Sequence, residues 1–591
     1  MTAHTITTEF GHSLPPEGPH TVTFHIPGWD IAMRFRDGDT TIFPRLRSMY
    51  PRMAPFGPIR QLSMAIAQKL NLPETVGVLM YTDPAAFVVH KQYSLSPHRK
   101  EHSLSEGDLS FKVVEIHDIR LYCVIYQMAK TKGVIGVWQN SGTGMFTRPA
   151  EELLKYVHTE FKVVTWSGDL EDIPSPTYYP ESEAHGQLRK RISDLLHRAP
   201  LDPDKVRVKP DDVYLYQTGM GAIHRLNEAL LKRDPGTILV LGSVFSSTWH
   251  LFNETSGGMK HIGDAGNSVM AKIEKYLEAH YREGKTVSYV FLEFPSNPIL
   301  VSVDLRRLRQ VADRYNLPVV VDDTVGSFCN IDVLPVTDFV ATSCTKSFSG
   351  YADVMAGSVV LNPLSPFYAS VKHTMDSTFH NEFFAADAEA LLKNSNNYLS
   401  RSATLNRNAA ALADYLATKA ADPASPVSQV LYPTRSDTRD NYEAFMRNKT
   451  PDFTPGYGCL LSVEFEDLGA ARAFYDSIQL HCGPHLGAHF TLAVPFNAIV
   501  NGRTPEEAKY HANYGARPEQ IRISVGLEDQ EEILSAVEEA LGKIEETRMS
   551  AEDVAVASAD VVTEKVSEGG KTTGDVKATA ANVAASYEGS A

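Results

Sequence analysis

Between residues 166 and 390, short β-branched runs alternate with stretches of helical periodicity, and this alternation restricts the fold more than any other property of the chain. Thr237–Leu241, Val287–Leu292, Pro318–Asp322 and Asp338–Thr342 read as buried strands. Between two of them, Leu305, Leu308, Val311, Ala312 and Tyr315 recur at helical spacing, and Asp304 is placed to cap that helix. Strand, helix, strand at this spacing requires crossover connections, hence a mainly parallel sheet covered on both faces. The predicted class is α/β.

The flanks differ in composition. Residues 1–165 mix short strand-like and helical stretches with proline-rich breaks such as Pro51–Pro58 and carry no evident catalytic constellation. The GxG in Ser141–Arg148 reads as a turn, because no βαβ context surrounds it. Residues 391–548 form a C-terminal α+β unit, entered through a long helical stretch at Ala385–Lys419. It continues with strands at Cys459–Phe465 and Gln520–Val525, then a helix over Asp529–Arg548. Residues 549–591 have almost no aromatics and are expected to be disordered.

Net charge decides which partners to expect. With 56 Lys+Arg against 72 Asp+Glu, the formal charge of −16 repels phosphate backbones and anionic lipid, so neither nucleic acid nor membrane is expected as a partner. No apolar run reaches bilayer-spanning length. The five cysteines are widely spread and form no CxxC pair. With no leader pattern at the N-terminus, a cytoplasmic location is expected.

In parallel α/β sheets, reactive groups gather beyond the C-terminal strand ends. There the sequence places Asp322-Asp323-Thr324, Ser343 through Gly350 with Lys346 at its centre, Glu293 through Pro298, and Gln217 through Ala222. A lysine flanked by small hydroxyl residues suits an imine-forming amine, and an aspartate can pair with a protonated pyridine nitrogen. A glycine-rich turn opening a helix offers free N–H groups to an anion. Singly these are a loop charge, a strand-end cap and a turn. Together they match what pyridoxal 5'-phosphate requires.

The same residues carry a resemblance. Asp322-Asp-Thr, Ser343-Cys-Thr-Lys-Ser-Phe-Ser-Gly, Glu293-Phe-Pro-Ser-Asn-Pro, Thr218-Gly-Met-Gly-Ala-Ile-His and Arg522-Ile-Ser-Val-Gly-Leu-Glu resemble the Cys/Met-metabolism (trans-sulfuration) family of pyridoxal-phosphate enzymes. Within it the chain most resembles the fungal cystathionine γ-synthases, whose N-terminal extension has a stretch like Trp138-Gln139 through Arg148. The resemblance implies fold type I, aspartate aminotransferase-like, and a homo-oligomer (dimer or tetramer) acting on small amino-acid substrates. It assigns the cofactor imine and proton shuttling to Lys346, the pyridine nitrogen to Asp322, and the phenolic oxygen to Asn297. The phosphate falls to Gly219, Met220, Ser343 and Thr345, and the substrate carboxylate to Arg522.

Three departures from the family pattern touch the expected pocket. Phe245 stands where a stacking tyrosine is usual, which keeps the ring and drops the hydroxyl. The family's Tyr/Phe-x-Arg phosphate clamp comes from a neighbouring subunit, but the matching stretch Thr177–His185 has no arginine. Tyr178 or Tyr179 would keep part of that role, and Arg189 or Arg191 would supply charge. His485 replaces a serine near the lysine and is expected to shuttle protons near neutral pH. The neighbouring His481, Cys482 and His489 also admit a metal, but a loop broken by Gly and Pro is a weak metal pattern, and none is expected. The implied activity is γ-replacement on an O-acylhomoserine with cysteine as nucleophile, in methionine biosynthesis. Alternatives are a paralogue using another thiol or carbon nucleophile in specialised biosynthesis, and a cystathionine lyase.

Overall fold

The computed structural model describes residues 6–14, 18–266, 268–502 and 504–546, so the tail expected to be disordered lies outside the described residues. Four antiparallel strands come first: β1 (Val76–Tyr81), β2 (Leu109–Ile116), β3 (Ile119–Gln127) and β4 (Phe161–Val164), in the order β1-β3-β2-β4. Seven strands follow: β5 (Val213–Tyr216), β6 (Thr237–Leu241), β7 (Met259–Ile262), β8 (Val287–Glu293), β9 (Val319–Asp322), β10 (Phe339–Thr342) and β11 (Gly357–Leu361). They form the central sheet, ordered β5-β11-β10-β9-β8-β6-β7. β7, β6, β8, β9 and β10 are mutually parallel, and β11 runs against both of its neighbours.

The period-two pattern of the strands gives this sheet its two cores. Leu239, Leu241, Val290, Leu292, Val319 and Val321 face one side. Ile238, Val240, Tyr289, Phe291 and Val320 face the other. The expected helix forms over Leu305–Arg314, with Asp304 accepting the Arg307 amide at 3.0 Å. Because β8, β9 and β10 point the same way, Glu293, Asp322 and Ser343 emerge at one edge of the sheet.

The C-terminal unit contains β12 (Val427–Leu431), β13 (Leu460–Phe465), β14 (His481–Cys482), β15 (Leu492–Val494) and β16 (Gln520–Ser524), ordered β12-β13-β16-β15-β14. The helical stretch leading into it is broken rather than continuous: Ala385–Asn394 and Tyr398–Ala420 are separated by a 3-10 turn at Ser395–Asn397. Ser395 Oγ donates to the Leu391 carbonyl at 2.8 Å, local bonding of a kind that competes with helix continuation. A last helix occupies 530–546.

Packing divides the N-terminal stretch into two parts. The four-stranded sheet has its own core around Tyr81, Phe87, Tyr122 and Trp138. The segment before it joins the C-terminal core, where Phe10, Phe24, Ile26, Trp29 and Leu46 pack with Ala471, Phe474 and Tyr475. Backbone bonds fasten it, Ile26 N to Cys482 O and Val22 N to Ala352 O, each 2.8 Å. This segment ends at Tyr50–Met53, which enters the cleft beside the central sheet. No helix among the described residues is long and apolar enough to cross a membrane.

Candidate active site

One cavity of about 190 Å³ opens at the sheet edge where the predicted residues converge. Two others, of about 20 and 10 Å³, hold a single water at most. The main cavity is lined by Gly219, Met220, Phe245, Asn297, Asp322, Ser343, Lys346, His485 and Arg522, all expected from the sequence. It is also lined by Tyr50, Arg52, Met53 and Gln139, from the stretch read as lacking catalytic residues. That expectation is corrected: the N-terminal segment is fastened across the C-terminal unit and ends in the site.

The helix Gly219–Arg233 begins at one end of the cavity. Thr218 Oγ1 accepts the Gly221 amide at 2.7 Å and donates to the Gly142 carbonyl at 2.9 Å. A Cβ on Gly219 would lie 2.6 Å from the Cβ of Ser343, so only glycine lets these two segments approach. The result is a helix N-terminus with free amides beside a serine, a site suited to an anion.

Lys346 lies deeper. Its Nζ is 3.4 Å from His485 Nδ1 and 5.1 Å from the centroid of the Tyr50 ring. Burial, with Arg522 and Arg52 nearby, holds the lysine pKa below its ordinary value, although Tyr50 opposes the shift. The amine is thereby made more nucleophilic. Burial and the neighbouring Lys346 push His485 well below the ordinary imidazole value. It is therefore a neutral base or acceptor beside the amine, rather than the group titrating near neutrality that the sequence suggested.

Two buried guanidiniums flank this centre, and neither forms an ion pair with a carboxylate among the described residues. Arg522 donates to Asn297 Oδ1 at 3.2 Å and to the Pro484 carbonyl at 2.6 Å, with its guanidinium 4.2 Å from the Phe496 centroid. Burial lowers its pKa to about 9. Arg52 donates to the Gln139 carbonyl and, at 2.8 Å, to Ser247 Oγ, and sits 5.0 Å from the Phe245 centroid. Two desolvated cations without counter-ions make a cavity that attracts two anions.

The opposite charge pattern occurs at Asp322 and Glu293. Burial raises both carboxyl pKa values, and for Glu293 the proximity of Asp322 adds to the shift. Neither forms an ion pair among the described residues, so the two together suit a ligand cation. Glu293 heads one of the strand-end segments noted in the sequence but was assigned no role there. It accepts the Phe245 amide at 2.5 Å and the Asn297 amide at 3.1 Å, and so sets the position of both. Its placement beside Asp322 at adjacent strand ends was the signal available.

Some expected residues lie elsewhere. Thr345 turns its hydroxyl to the Ala356 backbone, donating to its carbonyl at 3.1 Å, because the chain there runs along the start of β11. Tyr179 is buried away from the cavity, its hydroxyl 3.7 Å from Met145 Sδ, and burial raises its pKa. Tyr178 is exposed. Arg189 binds Glu181, and Arg191 caps carbonyl and amide oxygens at Leu392 and Asn396. His489 Nδ1 faces the Gly350 carbonyl at 3.3 Å.

The cavity thus combines an activated amine, a neutral imidazole, a pair of acids and two anion sites. Comparison with known proteins agrees with that chemistry. A model of the Cys/Met metabolism PLP-dependent enzyme family matches residues 208–542, more than half of the chain. Over 88% of its length the chain is 31% identical to an alanine racemase from Aspergillus violaceofuscus, covering 94% of that protein. It is 30% identical to a cystathionine γ-synthase-like protein from Aspergillus thermomutatus, covering 88% of this chain and 92% of the other. Among solved structures, the cystathionine γ-synthase of Xanthomonas oryzae in complex with cystathionine superimposes with a TM-score of 0.50 at 24% identity, over 62% of this chain and 87% of that one.

The chain belongs to the Cys/Met metabolism family of PLP-dependent enzymes, its fold is type I, and its cofactor is pyridoxal 5'-phosphate. The cavity fits that molecule at three places. The unpaired Arg52 and the helix N-terminus match the phosphate, Lys346 matches the aldehyde, and the unpaired acids Asp322 and Glu293 match the pyridine nitrogen.

Proposed function

We propose that the chain catalyses γ-replacement on an O-acyl-L-homoserine, acetyl or succinyl, with L-cysteine as nucleophile and cystathionine as product. The observation that supports this most is the shared wall of one cavity: the unpaired Arg522 fork, the Lys346 amine, and a neutral His485 at 3.4 Å from that amine. Replacement at Cγ requires protons to move at both Cα and Cβ before the Cγ–O bond breaks. Bound pyridoxal phosphate supplies the electron sink that makes those protons acidic.

Arg522 holds the substrate carboxylate through its planar fork. Lys346 takes the Cα and Cβ protons in turn, and His485 accepts from or returns a proton to the Lys346 amine. Asp322 would hold the cofactor nitrogen protonated. Gly219, Met220, Ser343 and Arg52 would hold the phosphate, with Asn297 available to the phenolic oxygen and Phe245 to the ring. The ester's Cγ–O bond breaks and releases the carboxylate. The cysteine sulfur forms the Cγ–S bond, and the thiol proton balances the carboxylic acid released. A homo-oligomer in the cytoplasm, supplying methionine biosynthesis, completes this reading.

A second reading, a different thiol or carbon nucleophile, is favoured by Phe245 and His485, the two departures that line the cavity. One mass-spectrometric assay separates the readings. Cofactor-loaded protein is given O-acetyl- or O-succinylhomoserine with and without cysteine, and Lys346→Ala serves as blank. Lys346-dependent cystathionine supports the first reading. Consumption of the ester to 2-oxobutanoate without cystathionine supports elimination or another nucleophile. An ester left untouched removes both.

A further inference from the structure

The helical stretch that leads into the C-terminal unit breaks at Ser395–Asn397, and both sides of the break reach back to the turn that carries Lys346. Before it, Asn394 Nδ2 donates to Ser349 Oγ at 3.1 Å and to Asp353 Oδ1 at 2.7 Å. After it, Arg401 donates to the Ser347 carbonyl at 2.9 Å and to the Phe348 carbonyl at 3.0 Å, the two residues that follow the lysine. The same guanidinium donates to the Asn394 carbonyl at 2.8 Å and to Asn397 Oδ1, so it ties the break to the turn. Arg401 is 4% exposed, and its buried charge is answered by these four oxygens rather than by a carboxylate among the described residues.

The turn itself is closed by the Gly350 amide on the Lys346 carbonyl at 2.8 Å, with Gly350 at a φ of +75°. A Cβ there would lie 2.4 Å from Arg401 Nε, so glycine is what admits the guanidinium. The loop that carries His485 approaches from the other side. A Cβ on Gly487, at a φ of +73°, would lie 2.5 Å from the Ser347 amide nitrogen. His489 Nδ1 donates to the Gly350 carbonyl at 3.3 Å, and its ring lies 5.3 Å from that of Tyr351, which is 5.0 Å from the Arg401 guanidinium. The lysine turn is thus held between Arg401 and the His485 loop.

We propose that Arg401 is a positioning residue for the reaction: it fixes the turn Lys346–Gly350 against the loop of His485 and so sets where the Lys346 amine meets the substrate Cα proton, with His489 supporting the turn from the opposite side. Arg401 does not line the cavity and acts through the carbonyls of Ser347 and Phe348. This role rests on Lys346 acting at Cα, as in the proposed function, and not on the leaving group or the nucleophile.

The test uses cofactor-loaded protein and L-2-aminobutyrate, which has the four-carbon skeleton of homoserine without a leaving group. In D2O the Lys346 amine takes the Cα proton, exchanges it with solvent and returns a deuteron, so NMR of the amino acid reads proton transfer alone. In Arg401→Gln, exchange at saturating aminobutyrate falls about tenfold or more, because misplacement of a reacting group by about 1 Å costs up to about 10²-fold. The Kd for aminobutyrate, read by visible absorbance, and the Kd for pyridoxal 5'-phosphate both stay within about twofold, as for a residue that affects only the proton-transfer step. Arg401→Lys recovers part of the rate, and His489→Ala gives a smaller loss of the same kind.

Unchanged exchange in Arg401→Gln overturns the proposal. So does an equal loss of cofactor affinity, which signals general disruption. If Arg401→Gln does not fold, Arg401→Lys and His489→Ala carry the test, and exchange at the parent rate in both overturns the proposal. A parent that exchanges aminobutyrate but forms no cystathionine loses the γ-replacement reading and leaves the role of Arg401 standing. A parent without exchange loses both.

Discussion

The Lys346 amine lies 5.1 Å from the ring centroid of Tyr50, so a residue of the N-terminal segment faces the reactive group of the central sheet. Burial alone would raise the Tyr50 phenol, but Lys346 and Arg52 outweigh it and bring its pKa below the ordinary value. In return, Tyr50 is the group that raises the lysine pKa against burial and the two arginines. Tyrosine and lysine are electrostatically linked across two parts of the chain.

Removing the hydroxyl exposes that link. In Tyr50→Phe the lysine loses the neighbour that favours its charged form, so its pKa falls further and the neutral amine persists to lower pH. The rate at which apoprotein and pyridoxal phosphate develop visible absorbance rises with the neutral-amine fraction. Its pH midpoint therefore moves downward in the variant. An unchanged midpoint would show that the phenol does not act on Lys346.

Glu293 gives a prediction of opposite sign. Its folded pKa lies well above the ordinary carboxyl value, so the folded apoprotein holds a proton that the unfolded chain releases. Stability from this group is greatest below the unfolded pKa and declines as pH rises toward the folded one. Glu293→Gln abolishes that decline while retaining one acceptor for the Phe245 and Asn297 amides. The stability advantage of the parent over Glu293→Gln therefore shrinks between pH 5 and pH 8 in urea titrations of apoprotein. Glu293→Ala leaves two amides unpaired and costs about 2–4 kcal/mol at pH 5.

Much of this site was legible because its residues occupy strand ends. Thr237–Leu241, Val287–Leu292 and Asp338–Thr342 announce a parallel sheet by their β-branched runs, and the edge follows from the direction of the strands. Lys346, Asp322 and Arg522 came with motifs of fixed spacing. Tyr50-Pro51-Arg52 has the Tyr-x-Arg spacing too, but it sits in a proline-rich turn far from the stretch to which that pattern was matched, and its position depends on contacts far along the chain, such as Trp138 with Pro51. Local pattern carries no trace of such contacts. The orientation of Thr345 was hidden for a related reason, since both hydrogen bonds of its hydroxyl go to the Ala356 backbone, just before β11, rather than to its own loop.

The role proposed for Arg522 as substrate clamp separates binding from proton transfer. Arg522 is held by Asn297, Pro484 and the Phe496 face, so its fork is pre-oriented. Arg522→Lys keeps a charge but loses the planar pair of donors. With O-acylhomoserine, the proposed substrate, KM rises about tenfold or more while kcat falls much less. Steady-state kinetics check this, and an equal fall in kcat and kcat/KM would instead place Arg522 in the transition state.

A buried cluster of charged groups ties the N-terminal module to the central domain. Arg225 pairs with Asp83 and, at 2.9 Å, with Glu382, which also accepts from Thr82 at 3.2 Å. His380 Nε2 lies 3.7 Å from Glu382 and 3.9 Å from Asp83. Burial would raise the Glu382 carboxyl, yet Arg225 and His380 bring it to about 2. Its contribution is present above the unfolded value of 4.5 and is lost only as pH falls toward 2. His380 behaves oppositely: burial lowers it, Glu382 and Asp83 outweigh burial, and the net shift is upward. Its contribution is full below 6.5 and lost as pH rises through the higher folded value. As pH rises above 6.5 the cluster therefore weakens through His380, and His380→Gln flattens that part of the stability profile. Arg225→Leu strands two buried carboxylates and costs about 3–5 kcal/mol. Urea titration at pH 7 reads the loss, and a change below about 1 kcal/mol would mean that the module is held by its apolar contacts instead.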